Sequence, residues 1–399
     1  MSPAAEPTPL LGHAGRRFGS DWGTAGVNPA LSSTEILTNE LGTEVRVWEE
    51  PVRGSFGDPS ALRLPGIERM RLSTRGQGLP PPIHHLTGLA PVEAGFGSST
   101  FRMPVTPWLQ TTVPGVIVGG VIAFLADGPL GTAIVTMLPP LAYMTTSDIS
   151  LSFLQPGTME SGTLVGRARL IHGGRSVALS EVTIEDSLGR HLAHGTSRGF
   201  LLTAPGAPSE PMDVGPRPEY ATPDPYLRPV AGAPVSQEDW NRMTGLEVLR
   251  LCIDDRTYAP PIYHLTGLRP TQAEEGTCTF VMPASPWLAS PAPVLYGGAI
   301  AMLADAALSC AVMTINPAGS SFAPLDLKVN YLRPVLPDGG LMTARATLAH
   351  RGRSMAVATA ELTNEDGKRI ALASSSVMLL PGRPWSDLAD ATERVVPEP

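Results

Sequence analysis

The stretch Gly297-Gly-Ala-Ile-Ala-Met-Leu-Ala-Asp-Ala-Ala-Leu-Ser-Cys-Ala-Val312 decides the fold, because it predicts a helix that is apolar on every side. A helix that is hydrophobic all round is buried rather than laid on a surface. Its one charged group is Asp305. Because an unpaired buried carboxylate is costly, we expect Asp305 either to be satisfied by a neighbouring hydroxyl or amide, or to face a cavity and act there.

The same helix occurs earlier in the chain, where Gly119-Gly120 matches Gly297-Gly298 and Asp127 matches Asp305. Three further stretches repeat: Pro82-Ile-His-His-Leu-Thr-Gly-Leu89 with Pro261-Ile-Tyr-His-Leu-Thr-Gly-Leu268, Phe101-Arg-Met-Pro-Val-Thr-Pro-Trp108 with Phe280-Val-Met-Pro-Ala-Ser-Pro-Trp287, and His172-Gly-Gly-Arg-Ser176 with His350-Arg-Gly-Arg-Ser354. The offset is 179 residues at first and 178 from the glycine pairs onward. The chain therefore contains a duplicated domain, and a fused pair most naturally packs as a C2 dimer does.

Strand patterns surround the helix in each copy. In the second copy, four apolar residues alternate with polar ones and predict a half-buried strand: Leu325, Leu327, Val329 and Tyr331. The other predicted strands are 277–282 before the helix, and 343–350, 354–363 and 369–380 after it. One strand, a buried helix and four antiparallel strands make the hotdog arrangement. We predict an α+β double hotdog, with two antiparallel sheets that each wrap a long helix about a pseudo-twofold.

The domain boundaries follow from composition. Residues 1–60, rich in Gly and Pro, show no counterpart in the second half, and predict either a mobile leader or a segment packed irregularly on the body. The first hotdog is predicted at 61–203 and the second at 241–381. The Pro-rich stretch 204–240 predicts an extended linker that lets the second copy rotate against the first. A polar tail follows at 382–399.

Composition excludes several classes of protein. A net charge of -8 argues against nucleic acid as a partner, since phosphate binding needs a basic surface. The most apolar runs, 116–126 and 299–313, are too short to span a bilayer, and we find no signal peptide. Three cysteines without metal-ligand spacing predict free thiols in a reducing cytoplasm and no metal site.

The glycine pairs suggest how the helix could act. A helix start leaves backbone N–H groups unpaired, and glycine lets a ligand approach them. Such amides stabilise the carbonyl oxygen that gains charge during acyl transfer, although a Gly-Gly pair alone could also serve close packing. Gly298 and Asp305 lie about 10 Å apart along a helix. If the helices are antiparallel, the sites are therefore composite: Gly119/Gly120 with Asp305, and Gly297/Gly298 with Asp127.

These residues carry a resemblance. The segment Tyr296-Gly-Gly-Ala-Ile-Ala-Met-Leu-Ala-Asp305 resembles the His-Gly-Gly-x6-Asp helix of the PaaI-type hotdog acyl-CoA thioesterases. Asn330-Tyr-Leu-Arg-Pro334 and Gly352-Arg-Ser354 resemble strand and turn signatures of that family, and the likeness covers most of 80–203 and 259–381.

The resemblance implies roles for particular residues. Asp305 and Asp127 would be the general base or nucleophile, and Gly297 and Gly119 would donate to the oxyanion. The turns Arg175-Ser176 and Arg353-Ser354 would lie near the phosphates of CoA, which enters as part of the acyl-CoA substrate and not as a cofactor.

The two sites depart from the family in different ways. The histidine of the family motif is replaced by Val118 in the first copy and by Tyr296 in the second, and only the tyrosine keeps a donor. Pro129 follows Asp127 closely and removes a helix hydrogen bond, which predicts a bend there. We therefore favour Asp305 as the better base.

Two other functions stay open. A hotdog hydratase or dehydratase uses the same kind of pocket, usually with an Asp–His pair that we do not find here. A non-catalytic acyl-CoA-binding protein is the other alternative, because the family histidines are missing. His85 and His264 recur at matching places, but a histidine there more often caps or packs. We also expect pairs of these double hotdogs to associate into a homo-oligomer.

Overall fold

The structure, a computed structural model, describes residues 46–77, 79–212, 218–255 and 258–385. The first half contains α1 (Gly66–Thr74), α2 (Pro82–Thr87), β1 (Ala90–Gly95), β2 (Ser98–Pro104), β3 (Val116–Ile117), α3 (Gly119–Val135), β4 (Ala142–Phe153), β5 (Gly157–Thr158), β6 (Thr163–Gly173), β7 (Val177–Asp186) and β8 (His191–Thr203). The second half contains α4 (Gln237–Arg242), α5 (Gly245–Arg250), α6 (Pro261–Thr266), β9 (Arg269–Glu274), β10 (Thr277–Pro283), α7 (Gly297–Met313), β11 (Ser321–Pro324), β12 (Asp326–Tyr331), β13 (Leu341–Arg351), β14 (Met355–Thr363) and β15 (Arg369–Leu380).

Each half is a hotdog, and the predicted double hotdog is confirmed. The long helices α3 and α7 are buried along most of their length, because the sheet covers them on one side and they pack against each other on the other. Small residues along α7, mostly alanine, allow this close approach. None of the helices in the described part of the chain combines the length and the apolar character that a bilayer crossing requires.

The two sheets are joined into one. Within the described residues, thirteen strands form a single sheet, in which β4 of the first half pairs antiparallel with β12 of the second. Leu151 lies opposite Leu327, and both are fully buried. Ser150 lies opposite Lys328, its own counterpart at the offset of 178 residues, so the pseudo-twofold passes between these two positions. The predicted pair of separate sheets is thus one continuous sheet.

The strand order differs from the sequence prediction in two places. A two-stranded hairpin precedes each long helix where one strand was predicted: the predicted strand at 277–282 pairs with β9, as β2 pairs with β1. The predicted strand that begins at Leu325 starts one residue later, as β12, and a separate short strand, β11, precedes it; Leu325 lies between the two and is exposed. Its placement on the buried face was wrong.

Two short segments cross between the halves; we call residues 47–57 strap 1 and residues 225–235 strap 2. Each begins with a 3-10 turn and contains the sequence Pro-Val-x-Gly, at Pro51–Gly54 and Pro229–Gly232. Both glycines have positive φ, which a residue with a Cβ rarely adopts. The straps are therefore counterparts, and the inference that residues 1–60 have no counterpart was wrong for residues 47–57.

The straps also correct the predicted linker. Strap 2 lies within 204–240, and its residue Val235 is fully buried. Asp224, just before strap 2, accepts a hydrogen bond from Arg53 and pairs with His85 of the first half. This part of the linker is thus fixed to the body rather than a free spacer about which the copies rotate.

The ends of the chain are described only in part. Residues 1–45 of the predicted leader and residues 386–399 of the predicted tail lie outside the described residues. Trp385 is buried and makes edge contacts with the rings of Trp240 and Phe322, so the predicted polar tail begins with an anchored residue.

Candidate active site

The two helix starts meet the two carboxylates across the pseudo-twofold. The backbone N–H of Gly120 donates a hydrogen bond of 2.7 Å to Oδ2 of Asp305. The N–H of Gly298 donates one of 3.0 Å to Oδ2 of Asp127. Since the first amides of a helix have no partner within it, each helix start is free to bind the carboxylate of the other helix.

This geometry brings together the residues predicted to share a site. Gly119/Gly120 lie with Asp305, and Gly297/Gly298 lie with Asp127, as the antiparallel arrangement of the helices requires. The structure adds that the second glycine of each pair holds the carboxylate. The catalytic roles assigned to these residues stay predictions.

The first glycine of each pair has different surroundings in the two copies. A Cβ on Gly297 would lie 3.0 Å from Oδ2 of Asp127, whereas a Cβ on Gly119 would lie 2.6 Å from the ring of Phe153. Either substitution would therefore crowd the site. Close approach of the backbone explains why glycine occupies these positions.

Burial governs the charge of both carboxyls. Asp127 is 7% exposed and Asp305 is 1% exposed. Desolvation raises the pKa of each to about 6, against the opposing effect of the glycine amides, which favour the ionised form. Each carboxyl is thus poised near neutrality, where it is ionised yet still basic enough to take a proton.

The Asp305 site contains a hydroxyl that sequence reasoning missed. Oδ1 of Asp305 and Oγ of Ser309 are both buried, and the hydroxyl of Ser309 acts with the amide of Gly120 to lower the pKa of Asp305 against the larger effect of desolvation. They lie one helical turn apart on α7, and side chains at that spacing share a face. In the sequence, the four-residue spacing between Asp305 and Ser309 is the signal that could have predicted this hydroxyl. The first copy has Gly131 at the matching position, so the Asp127 site lacks this hydroxyl.

The Asp127 site contains two phenols instead. Tyr296 is buried beside Gly128, and its ring contacts Phe124 edge-on. Desolvation and then the nearby charge of Asp127 hold the pKa of Tyr296 well above its usual value, so it remains a donor. Tyr331 donates a 2.9 Å hydrogen bond to the carbonyl of Gly297. Sequence reasoning quoted Tyr331 only as part of a strand signature, and Phe153 replaces it in the first copy.

Pro129 does not interrupt α3. The helix continues through it to Val135, and the Oγ of Ser99 donates to the carbonyl of Pro129 at 2.7 Å. The predicted bend was the reason for favouring Asp305 over Asp127. The helix is thus continuous at Pro129, and the predicted bend and the preference for Asp305 stay predictions.

The two Arg-Ser turns lie at the surface. Arg175-Ser176 and Arg353-Ser354 are exposed turns between adjacent strands. Gly173, just before the first turn, contacts Met137, which follows the C-terminal end of α3. Met137 is ten residues beyond Asp127, so this turn lies about 15 Å along the helix direction from that carboxyl. Contact of these turns with CoA stays a prediction.

His85 has a structural role in this arrangement. Its Nδ1 lies 2.9 Å from Oδ1 of Asp224, and its ring contacts Tyr220 edge-on. Both partners precede strap 2, so His85 anchors the linker to the first half. This agrees with the expectation that a histidine in this segment caps or packs.

Other reactive groups are poorly placed for chemistry. Cys252, Cys278 and Cys310 are all buried free thiols, and desolvation raises the pKa of Cys252 to about 12. A thiol with so high a pKa is a weak nucleophile at neutral pH. In the described ranges, His, Cys, Asp and Glu side chains form no group of three that could hold a metal ion.

Comparisons with known proteins find matches in both copies. A family model described as the thioesterase superfamily matches residues 114–193 and 292–371, which contain both glycine pairs and both carboxyls. The chain is similar to the medium/long-chain acyl-CoA thioesterase YigI of Salmonella typhimurium, with 29% identity over 152 residues, 34% of this chain and 97% of the relative.

Two solved structures are similar to this chain. One is acyl-CoA thioesterase II TesB2 of Mycobacterium marinum, 14% identical, with a TM-score of 0.47 over 75% of this chain and 98% of that chain. A tesB protein of Mycobacterium avium subspecies paratuberculosis is 16% identical, with a TM-score of 0.46 over the same shares. By its strand order and its paired long helices the chain is a double hotdog, and each copy contains a match to the thioesterase superfamily.

Proposed function

We propose that the chain hydrolyses the thioester of an acyl-CoA, or of an acyl-carrier protein, in two composite sites. The observation that carries the proposal is reciprocal: each helix start donates an amide to a buried carboxylate on the other helix. The double match to the thioesterase superfamily supports the reaction class. The acyl-CoA thioesterase name of the Salmonella relative supports CoA as the carrier.

The residues would divide the chemistry as follows. The amides of Gly120 and Gly298 orient the carboxylates. The amides of Gly119 and Gly297, one position nearer the helix start, bind the thioester carbonyl and stabilise the oxyanion together with the helix dipole. As general base, the carboxylate takes a proton from water, the hydroxide attacks the carbonyl, and the CoA thiolate leaves with a proton. As nucleophile, it forms an anhydride that water then cleaves.

Two buried hydroxyls suit this chemistry. In the Asp305 site, the hydroxyl of Ser309 would donate to the carboxylate and favour its ionised form. In the Asp127 site, Tyr296 offers a donor near the carboxylate, where the family motif has histidine. Each site therefore has a hydroxyl near its carboxyl, from Ser309 in one and from Tyr296 in the other, and we propose that both sites hydrolyse the substrate.

The finer assignments belong to the same proposal. We place the chain among the PaaI-type hotdog thioesterases on the motif Tyr296–Asp305, while the relatives reported above bear YigI and TesB names. CoA phosphates would bind at Arg175-Ser176 and Arg353-Ser354. No cofactor is required beyond the CoA of the substrate, and we propose a cytoplasmic location and a homo-oligomeric state.

The test uses a panel of short, long and aryl acyl-CoAs with release of free CoA as the signal. We expect turnover by the wild type, a partial loss in Asp127→Asn and in Asp305→Asn, and a loss of at least 100-fold in the double variant, about what removal of a general base costs. Unchanged turnover in the double variant would remove the mechanism. Addition of water to enoyl-CoA with the thioester intact would indicate a hydratase, and tight binding without turnover would indicate a carrier.

A further inference from the structure

The loops that lead into the glycine pairs are held from outside by the straps. On the second half, Nε1 of Trp287 donates to the carbonyl of Glu50 at 2.9 Å, and the N–H of Gly57 donates to the carbonyl of Pro291 at 2.7 Å. Trp287 and Pro291 flank the start of the loop 289–296, which ends at Gly297. Strap 1 thus binds the loop that leads into Gly297 and Gly298, whose amides face Asp127.

Strap 2 makes the same contacts on the first half. Nε1 of Trp108 donates to the carbonyl of Arg228 at 3.1 Å, and the N–H of Val235 donates to the carbonyl of Thr112 at 3.1 Å. These residues flank the start of the loop 110–118, which ends at Gly119. Four contacts therefore form two matched pairs, one for each composite site.

The straps meet each other on the pseudo-twofold. Arg228 of strap 2 forms an ion pair of 2.6 Å with Glu50 of strap 1, and these two residues occupy equivalent positions of the repeat. Their side chains are 11% and 24% exposed, so solvent screens the pair less than it screens a surface pair. The carbonyls of the same two residues accept the tryptophan hydrogen bonds. The Glu50–Arg228 ion pair thus connects the two residues whose carbonyls accept the hydrogen bonds from Trp287 and Trp108.

We propose that the straps are positioning elements of the active sites: strap 1 fixes the glycine amides that face Asp127, strap 2 fixes those that face Asp305, and the Glu50–Arg228 pair holds both. This inference rests on the proposed function for its kinetic consequence, but not for its structural one. A shift of about 1 Å at an oxyanion donor is enough to lower a rate about 100-fold, so a loosened loop lowers kcat without requiring a change in the rest of the fold.

The test compares Trp287→Phe with Trp108→Phe. Each variant loses the indole N–H that donates to one strap and keeps a smaller aromatic ring in its place. Hydrogen exchange followed by mass spectrometry reads the loops directly. We expect about tenfold faster exchange of the 289–299 segment in Trp287→Phe with 110–121 unchanged, and the reverse in Trp108→Phe. Unchanged exchange of both loops in both variants would overturn the proposal, whether or not the protein is a thioesterase.

Measurements of kcat in variants with one working site test which strap acts on which site. In an Asp305→Asn background, only the Asp127 site operates, so Trp287→Phe should lower kcat by three- to tenfold, about the effect of a small misplacement, with KM nearly unchanged, and Trp108→Phe should not. The Asp127→Asn background should show the opposite. Equal effects of both variants in both backgrounds would contradict the assignment.

The ion pair has its own control by charge exchange. Glu50→Arg and Arg228→Glu each place like charges together and should speed exchange in both loops. The double variant Glu50→Arg/Arg228→Glu restores opposite charges and should return both loops to wild-type exchange. If the double variant exchanges as fast as the single ones, the pair does not hold the straps.

Discussion

Asp127 and Asp305 are buried carboxyls that accept hydrogen bonds from the glycine amides of the other helix, and their proton affinity affects the stability of the fold as well as the proposed reaction. The glycine that supplies each amide lies on the other helix, so neither half contains a complete site. Burial raises the pKa of both carboxyls from 3.8 to about 6. A base with this pKa is mostly ionised at pH 7 and still accepts a proton readily.

The pH dependence of activity follows from these pKa values. In the proposed mechanism the ionised carboxylate is the active form, so kcat/KM should rise tenfold per pH unit below pH 6 and level off above about pH 7. The measurement is thioester hydrolysis from pH 4.5 to 8.5 with a substrate that does not titrate in this range. A flat profile across pH 5 to 7 would show that neither carboxyl acts as the base.

The stability of the fold should have the opposite pH dependence. A carboxyl with a raised pKa binds its proton more tightly in the folded than in the unfolded state, so stability is full below pH 3.8 and falls as pH rises through 6. Asparagine avoids this loss. Asp127→Asn should therefore be more stable than wild type at pH 8, by about 2–3 kcal/mol, with little difference at pH 4. Urea unfolding at both pH values tests it, and a less stable variant at pH 8 would be the contrary result.

The sequence allowed the carboxyls and glycine pairs to be predicted, because an Asp in an apolar helix is conspicuous and each occurs twice. Ser309 and Tyr331 escaped notice for a physical reason. A serine on a helix and a tyrosine ending a strand are ordinary in sequence, and their meaning depends on which groups tertiary packing leaves unpaired around them. The Arg-Ser turns show the converse, since a motif resemblance does not fix its distance from the site.

At the scale of elements, the antiparallel pairing of β4 with β12, the joint between the halves, joins their two sheets into one. Asp148 on β4 is buried and pairs with Lys328 of β12 at 2.9 Å and with Arg198 of β8 at 3.1 Å. The helices and the later strands could be predicted from periodicity. The joint could not, because alternation shows that a strand is half-buried but does not name its neighbour. The first strand of each hairpin was missed because β1 and β9 alternate only weakly.

Removing Lys328 should weaken this joint. Lys328→Ala leaves the buried Asp148 with Arg198 alone, and we expect a loss of about 1–2 kcal/mol in the free energy of unfolding. Lys368→Ala is the matched control, because Lys368 pairs with Asp366 at 3.2 Å with both side chains more than half exposed, and it should change stability by less than about 0.5 kcal/mol. Chemical denaturation compares them, and equal effects would show that the joint is not a special contact.

At the scale of the whole molecule, the two halves share a sheet, a helix interface and two crossing straps. The duplication could be predicted from the repeats, and so could the pseudo-twofold. The crossing straps could not, because the shared Pro-Val-x-Gly is short and lies in Pro-rich segments that read as leader and linker. Association of the whole chain into larger oligomers stays a prediction, for light scattering to measure.

Because the two halves share one sheet and pack helix against helix, they should unfold together. Leu303 lies fully buried on α7, and Leu303→Ala should cost about 2–5 kcal/mol. We expect one calorimetric transition in the wild type and one transition at lower temperature in the variant. Two transitions, of which the variant shifts only one, would mean that the halves are energetically separate.

The central claim is that each active site combines a glycine pair from one half with a carboxyl from the other. Gly120→Ala tests it most directly, because the added Cβ would lie 3.1 Å from both Cβ and Oδ2 of Asp305. With acyl-CoA hydrolysis as the assay and circular dichroism to verify folding, Gly120→Ala/Asp305→Asn should be no slower than Asp305→Asn alone, since both changes affect one site. Gly120→Ala/Asp127→Asn, which damages both sites, should be about 10-fold or more slower than Asp127→Asn. The reverse result, with Gly120→Ala aggravating only Asp305→Asn, would place Gly120 and Asp127 in the same site and contradict the account.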